Sequence, residues 1–413
     1  MLFVFICSMV SCQYSVVPGR TEGWQSDIDF LLQQIQKQHY VYKSMPLPGK
    51  LTAQAEKLKK QIDNFSDERI LIELERLMYF LGDGHSYILP MGAPKVHSYF
   101  LPLQFYQFSD GMYIIDADSA HKKMIGNKLL SIGSITPEKF MEDMKTFVSQ
   151  DNEMGATWIG PFFLRFRGML ESYGLKKGSD SVAIKVEDES GEQVNKIILF
   201  VPVPHLRGIP KLFPPKNSVN VPMYFSDLKD NYWCRKLPAD KTLYIQFNQV
   251  MDAPTETIRQ FSKRLDSLLK NTGWERIIVD VRHNNGGNAD LTPPLIQTLK
   301  NFEVLNPGSK LIIITGRNTF SAAQIFISQL NKETKALFAG ESSSSSPNFV
   351  GEENFIQLPW SGAMGSISNR YHETIPGDKR KWIEPDIKVS LSSEDYFGGR
   401  DPVMEALFKM NNN

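Results

Sequence analysis

The stretch Arg276-Ile277-Ile278-Val279-Asp280-Val281-Arg282-His283-Asn284-Asn285-Gly286-Gly287-Asn288 decides how this chain is read. Its first six residues form a short run rich in branched apolar side chains, the mark of a strand buried on both faces. The run then breaks into a polar loop with paired glycines. Without a Cβ, such residues let backbone N–H groups turn outward, as an oxyanion hole requires. Asp280 and Arg282 carry opposite charges and can brace the loop by hydrogen bonds. Taken by itself, the Gly-Gly pair reads better as a bare turn.

Outward from this loop the pattern alternates between strand and helix. Leu243–Phe247 reads as a strand, and Thr255–Leu269 as a helix with Ile258, Phe261, Leu265 and Leu268 inward. Thr292–Lys300 follows as a helix, Lys310–Thr315 as a strand, Ser321–Leu330 as a helix and Ala336–Ala339 as a strand. That order predicts an α/β sheet domain over residues 237–413. In Thr315-Gly316-Arg317-Asn318-Thr319-Phe320-Ser321-Ala322-Ala323-Gln324 a strand ends, a polar turn follows, and Ser321 opens an Ala-rich helix. There its hydroxyl is exposed and the helix N-terminus favours a developing anion. A simple N-cap is the commoner use of serine at such a place.

The N-terminal half differs in character. Residues 24–90 read as helical: Ile28, Leu31, Leu32 and Ile35 recur behind Ser26 as N-cap, Leu51, Ala55 and Leu58 form a second stripe, and Ser66 opens a third helix. That helix stops at Gly82-Asp83-Gly84, with His85 directly after. Residues 98–203 carry strand-like runs (100–108, 112–115, 128–132, 181–186, 196–203) and a helix from Thr136-Pro137. Within them Ile125–Gly133 looks like the carboxylate-binding end of a PDZ-type module. Residues 204–236, rich in Pro and aromatic side chains, read as a connector. Residues 1–19 carry no charge, and Leu2–Val10 is apolar but too short to span a bilayer, which takes about 20 residues. It fits a secretory leader, and Met9-Val10-Ser11-Cys12 resembles a lipobox, with Cys12 the lipidated residue; a buried strand is the other reading. The leader implies an extracytoplasmic protein: periplasmic, secreted or lipid-anchored.

Composition removes other classes. The 413 residues balance 46 Lys+Arg against 46 Asp+Glu, so no net field draws nucleic acid. Three cysteines without a C-x-x-C pair make neither a disulfide framework nor a zinc site. A serine nucleophile needs a base, and imidazole suits neutral pH. Of the seven histidines, His85 alone sits in a Gly-flanked turn that ends a helix.

Together these segments resemble the C-terminal processing peptidase and tricorn-core family of serine peptidases. The pattern Asp-x-Arg-x-Asn-x-Gly-Gly is met by Asp280, Arg282, Asn284, Gly286 and Gly287. Thr-x-Ser-Ala-Ala is met by Thr319, Ser321, Ala322 and Ala323, and Asp-Gly-His by Asp83, Gly84 and His85. The resemblance implies an N-terminal helical segment, a PDZ-like β-rich module and a ClpP/crotonase-like α/β catalytic core. It implies an endopeptidase acting on peptide or protein substrates, with Ser321 as nucleophile, His85 as base, and an oxyanion hole of Gly286, Gly287 and Ala322. No metal or organic cofactor is required. Where the processing branch carries its dyad lysine, the loop Gly340–Asn348 holds Ser342–Ser346 and no lysine. The tricorn-like branch instead uses the turn histidine with an acidic orienter. Asp378, with a one-residue shift, is the candidate for that place and Glu373 its competitor; His283 is the second candidate base. Relatives that bind retinoids on this scaffold leave a non-catalytic binder as the alternative. A crotonase-like acyl-CoA enzyme gives Ser321 no role, and Thr319–Ala323 is not the Gly-x-Ser-x-Gly of an α/β-hydrolase.

Overall fold

In the computed structural model, which describes residues 18–203, 212–215, 220–237, 241–270 and 273–410, the strand Arg276–Asp280 lies inside a six-stranded sheet with every residue buried. The sheet order is Ile387–Lys388, Leu337–Gly340, Lys310–Thr315, Arg276–Asp280, Thr242–Phe247, Tyr232–Leu237. All neighbours pair parallel except the edge strand Tyr232–Leu237. Alternate residues serve opposite faces, as the pleat demands. Ile277 and Val279 pack under the helices Ile258–Lys270, Pro293–Leu305 and Ala322–Glu333, whereas Ile278 meets Val403, Met404 and Leu407 of the closing helix Pro402–Lys409. The α/β reading of this half is what the structure shows.

Two boundaries shift. Tyr232–Leu237 falls in the stretch read as connector, yet it pairs in register with the whole of Thr242–Phe247. The first helix runs Arg20–Gln38, so Ser26 lies inside it rather than capping it. Its start is fixed from outside: the Arg20 guanidinium bonds Asp67 Oδ1 at 2.8 Å and the carbonyls of Ile62 and Phe65 at 3.0 and 2.7 Å. Ser66 does cap its helix, accepting from the Arg69 N–H at 3.1 Å. The expected leader, including Cys12, lies outside the described residues.

Leu103–Phe108, Gly111–Ala117, Lys128–Ile132, Ser181–Glu187 and Gln193–Leu199 form an antiparallel sheet in chain order. The helices Pro137–Met144, Glu153–Phe163 and Arg167–Glu171 share its core. The N-terminal helices pack on a third sheet, Tyr87–Ile88, Met364–Glu373 and Asn348–Gln357, with Trp24, Leu31 and Leu74 against Ile356 and Ile367. The long C-terminal hairpin therefore reaches back to the N-terminal helices, and its pairing with Tyr87–Ile88 fixes the chain just after His85. Among the described residues, no helix is long and apolar enough to cross a membrane.

Candidate active site

The two core loops are sewn together by the side chains that recur in their sequence patterns. Thr319 Oγ1 donates to the Val281 carbonyl at 2.9 Å and accepts from Gly316 N at 3.1 Å. Phe320 N donates to Asn284 O at 3.1 Å, while Asn284 Nδ2 reaches Phe247 O at 3.0 Å and Asn284 Oδ1 accepts from Gly286 N at 3.0 Å. Below them Arg282 forks between Asp280 (2.6 Å) and Asp401 (2.7 Å), and Asp280 also accepts from Tyr244 Oη at 2.7 Å. Burial alone would raise the Asp280 pKa; the Arg282 charge beside it holds it below the usual range. Arg317 pairs with Glu341 and bonds the Gln107 carbonyl at 2.7 Å, fastening the five-stranded unit to the core.

Ser321 does not cap the helix it precedes. Its side chain makes no capping bond, and its backbone stands at φ 55°, ψ −124°. A non-glycine residue in such a region costs about 1–3 kcal/mol and persists only where its surroundings over-determine it. Those surroundings are the glycine loop. A Cβ on Gly286 (φ 113°) would stand 2.7 Å from Ser321 Cβ and 3.1 Å from Ala322 N. One on Gly287 (φ 135°) would strike the Val250 carbonyl at 2.2 Å. Val250 N donates to Gly286 O and Asn288 N to Val250 O, at 2.9 and 2.8 Å. Among the described residues, no hydrogen bond engages the N–H of Gly287 or Ala322. Two uncommitted donors and a strained hydroxyl at a helix N-terminus form a constellation suited to an acyl-transfer oxyanion.

His85 is fixed by its backbone and by rings. Its N–H donates to Asp83 Oδ1 at 2.9 Å; the same carboxylate takes Ser86 N (2.7 Å), Ser368 Oγ (2.5 Å) and His39 Nε2 (3.0 Å). The imidazole is sandwiched between Phe320 (centroids 4.3 Å apart) and Phe349 (5.3 Å, 4° between planes). Both ring nitrogens are sealed from solvent and without a hydrogen-bond partner. Burial pushes the ring down to about 4, against the pull of Asp83 and with a push from His372, so it is neutral through the ordinary pH range. Phe320 directly precedes Ser321, so one aromatic contact joins the His85 turn to the serine turn, while no hydrogen bond joins the imidazole to Ser321 Oγ.

The remaining candidates lie apart. Asp378 is bound by the Arg380 guanidinium at 2.6–3.1 Å, and Glu373 Oε1 accepts from Gly377 N at 3.1 Å. Neither carboxylate bonds His85. His283 stacks on Tyr224 and Phe225, at 5.7 and 5.6 Å, beside a cavity shared with Arg282 and Arg317. No group of three His, Cys, Asp or Glu able to hold a metal occurs among the described residues.

Two contributors carried no motif. Ser345, fully buried, accepts from Ser321 N at 3.3 Å. Asp151, 66 residues beyond His85, accepts from Gly84 N at 2.8 Å through Oδ1, and its Oδ2 is sealed from solvent without a hydrogen-bond partner. Only the Ser-rich loop that replaces the lysine hinted at the first; nothing in the sequence marked the second.

No family model and no curated protein sequence matches this chain. Solved structures do. Mature CPAF complexed with lactacystin aligns over 95% of this chain and 99% of its own, at 14% identity and a TM-score of 0.65. A serine-to-alanine mutant of CPAF aligns over 94% of this chain and 96% of its own, at 14% identity and a TM-score of 0.66. The tricorn protease, at 15% identity, spans 96% of this chain and 38% of its own with a TM-score of 0.41, too loose a superposition to equate folds. The chain is thus similar in fold to CPAF along almost its whole length.

Proposed function

We propose that this chain is a serine endopeptidase built on the fold it shares with CPAF. One observation carries the reading. Ser321 is held in a strained conformation against Gly286, beside the uncommitted N–H groups of Gly287 and Ala322. A capping serine has no use for strain, whereas strained residues cluster where a side chain is presented to a reacting group. In the proposed reaction Ser321 Oγ attacks the scissile carbonyl and its proton passes to neutral His85. The two N–H groups hold the tetrahedral oxyanion. Collapse breaks the C–N bond, and imidazolium returns the proton to the leaving amine. Water then hydrolyses the acyl-enzyme by the same steps in reverse. The five-stranded unit reads as the PDZ-like module and the six-stranded unit as the ClpP/crotonase-like core. The apolar, uncharged start of the sequence supports export, with lipidation at Cys12 as its attachment.

A fluorophosphonate tests the reading, because it labels an activated serine hydroxyl. The native chain should be labelled at Ser321, and both Ser321→Ala and Ser321→Gly should lose label and peptide hydrolysis. Ser321→Gly also relieves the positive φ, so it should be the more stable of the two, by about 1–2 kcal/mol. Label at another residue, or undiminished hydrolysis by Ser321→Ala, removes the nucleophile. The aromatic sandwich around His85 favours a second reading, a non-catalytic binder of apolar ligands. Absence of label together with a co-purifying lipid selects it.

A further inference from the structure

We propose that His39 is a positioning residue: as a neutral donor it holds the Asp83 carboxylate ionised and in place at the turn that carries His85. The catalytic consequence rests on the peptidase reading; the donor itself rests on hydrogen-bond geometry. His39 is fully buried at the end of the helix Arg20–Gln38, where its backbone N–H donates to Ile35 O at 3.0 Å. Its ring stacks on Tyr42, with centroids 4.8 Å apart. Nε2 meets Asp83 Oδ2 at 3.0 Å, and Nδ1 meets the Val41 N–H at 3.2 Å. A backbone N–H can only donate, so Nδ1 is the acceptor and carries no proton. The ring proton is then on Nε2 and points at Asp83. Neither imidazolium nor the other tautomer fits, because each would set two N–H groups face to face.

The other partners of Asp83 point the same way. Its Oδ1 accepts from His85 N at 2.9 Å, Ser86 N at 2.7 Å and Ser368 Oγ at 2.5 Å. The Ser368 hydroxyl, its proton given to Asp83, accepts from Ser86 Oγ at 3.1 Å, and Ser86 Oγ accepts in turn from Ser368 N at 3.0 Å. The protons of this cluster face the carboxylate, which leaves no acceptor for a carboxylic acid proton. Burial alone would raise the Asp83 pKa; the bonds from His39, Ser368 and Ser86 hold it below the usual range. Its acidic neighbours differ. Burial, with the Asp83 charge adding, pushes Glu75 up to about 8 and Asp151 up to about 7. Asp83 is thus the one of the three that stays ionised well below neutral pH. An imidazolium at His39 would cancel that charge. The neutral ring satisfies Oδ2 and leaves the charge to favour protonation of His85. Tyr40 N, next in the chain, donates to Ser368 O at 2.9 Å, so the helix end, the His85 turn and the C-terminal hairpin meet around one carboxylate.

The test uses the full chain and two readouts: the rate of fluorophosphonate labelling at pH 8, and the proton–nitrogen correlation spectrum of the histidine rings. In the spectrum His39, identified by its loss in His39→Gln, should show the neutral tautomer with its proton on Nε2. An imidazolium or an Nδ1–H ring at His39 overturns the proposal. In His39→Gln the amide reaches the place of Nε2 and donates without charge, so labelling should stay within about threefold of native. His39→Asn places its amide only where Nδ1 stands, short of Asp83, and His39→Leu has no donor. Both should label about ten- to a hundredfold more slowly, the scale of a misplaced reacting group. A packing role alone would favour His39→Leu over His39→Gln at this buried position, the reverse order. Native-rate labelling of His39→Leu overturns the proposal. Should that variant fail to fold, His39→Asn labelling as fast as His39→Gln overturns it equally. If the native chain takes no label at all, the peptidase reading fails, and the ring spectrum decides the neutral donor by itself.

Discussion

Replacing Gly286 by alanine tests the glycine loop more sharply than removing any side chain. The added Cβ stands 2.7 Å from Ser321 Cβ, 3.1 Å from Ala322 N and 3.2 Å from Phe320 O. Two carbons need about 3.5–4.0 Å, so the shortfall is roughly 1 Å. None of the three neighbours can swing away, since two are backbone atoms and the third a Cβ on a strained backbone. Alanine at φ 113° adds about 1–3 kcal/mol of conformational cost, and overpacking a further 1–3 kcal/mol or so. Relief requires the loop to retreat from Ser321, which carries the Gly287 N–H off the proposed oxyanion position. Loss of one such donor slows acyl transfer by about 10²–10³. Gly191→Ala is the control: its φ of 84° is also unsuited to alanine, but nothing lies within 4 Å. The assay is the pH 8 labelling rate, with urea denaturation of both variants alongside. Gly286→Ala should lose at least about a hundredfold in rate, Gly191→Ala none. Native-rate labelling of Gly286→Ala refutes both the contact and the oxyanion assignment.

Arg282→Lys should destabilise the chain by about 3–5 kcal/mol in urea, because one ammonium cannot fork across Asp280 and Asp401 and leaves buried carboxylate uncompensated. A loss below about 1 kcal/mol, the worth of a surface pair, shows that the fork does not brace the loop. Glu75 gives a pH-dependent test. Burial pushes its carboxyl up to about 8, against the N–H groups of Ile88 and Ser149 and with the Asp83 charge adding to the rise. Between about pH 4 and 8 it is protonated when folded and ionised when unfolded, so stability falls as pH rises through that window, by up to about 1.4 kcal/mol per unit. Glu75→Gln should flatten the difference between urea midpoints at pH 5 and pH 8; an unchanged difference refutes the assignment.

Legibility followed the range of the forces involved. The strand Arg276–Asp280 and the stripe Leu51, Ala55, Leu58 were readable because burial imposes a period on neighbouring residues. The helix Glu153–Phe163 escaped because Gly155, Gly160 and Pro161 are helix-breaking types; Asn152, accepting from Met154 N at 2.9 Å, and packing of its apolar side chains against the five-stranded sheet sustain it. Tyr232–Leu237 was hidden among Pro-rich neighbours, since only a partner strand makes an edge strand. At the site, Thr319 and Asn284 were visible as motif letters, and the structure supplies their reason: each bonds the loop carrying the other. Asp151 was invisible because its partner, the N–H of Gly84, lies on a distant segment, and no spacing in its own surroundings foretells it.

The histidine shows where residue type stops being informative. A triad acid does two things, orienting the imidazole by a hydrogen bond and stabilising the imidazolium that forms. Around His85 these tasks fall to different groups. Orientation comes from Phe320 and Phe349, which stack on the ring without hydrogen-bonding either nitrogen. Negative charge comes from Asp83, whose carboxylate is already held by four donors and acts on the ring through space. A carboxylate fixed in this way cannot follow the ring if it turns, so ring position depends on the aromatic pair. Phe320 is also the residue whose N–H anchors the serine turn to Asn284. On the proposed peptidase reading, any movement that brings His85 to Ser321 Oγ must therefore pass through Phe320, whose ring stacks on the imidazole and whose backbone leads into the serine turn.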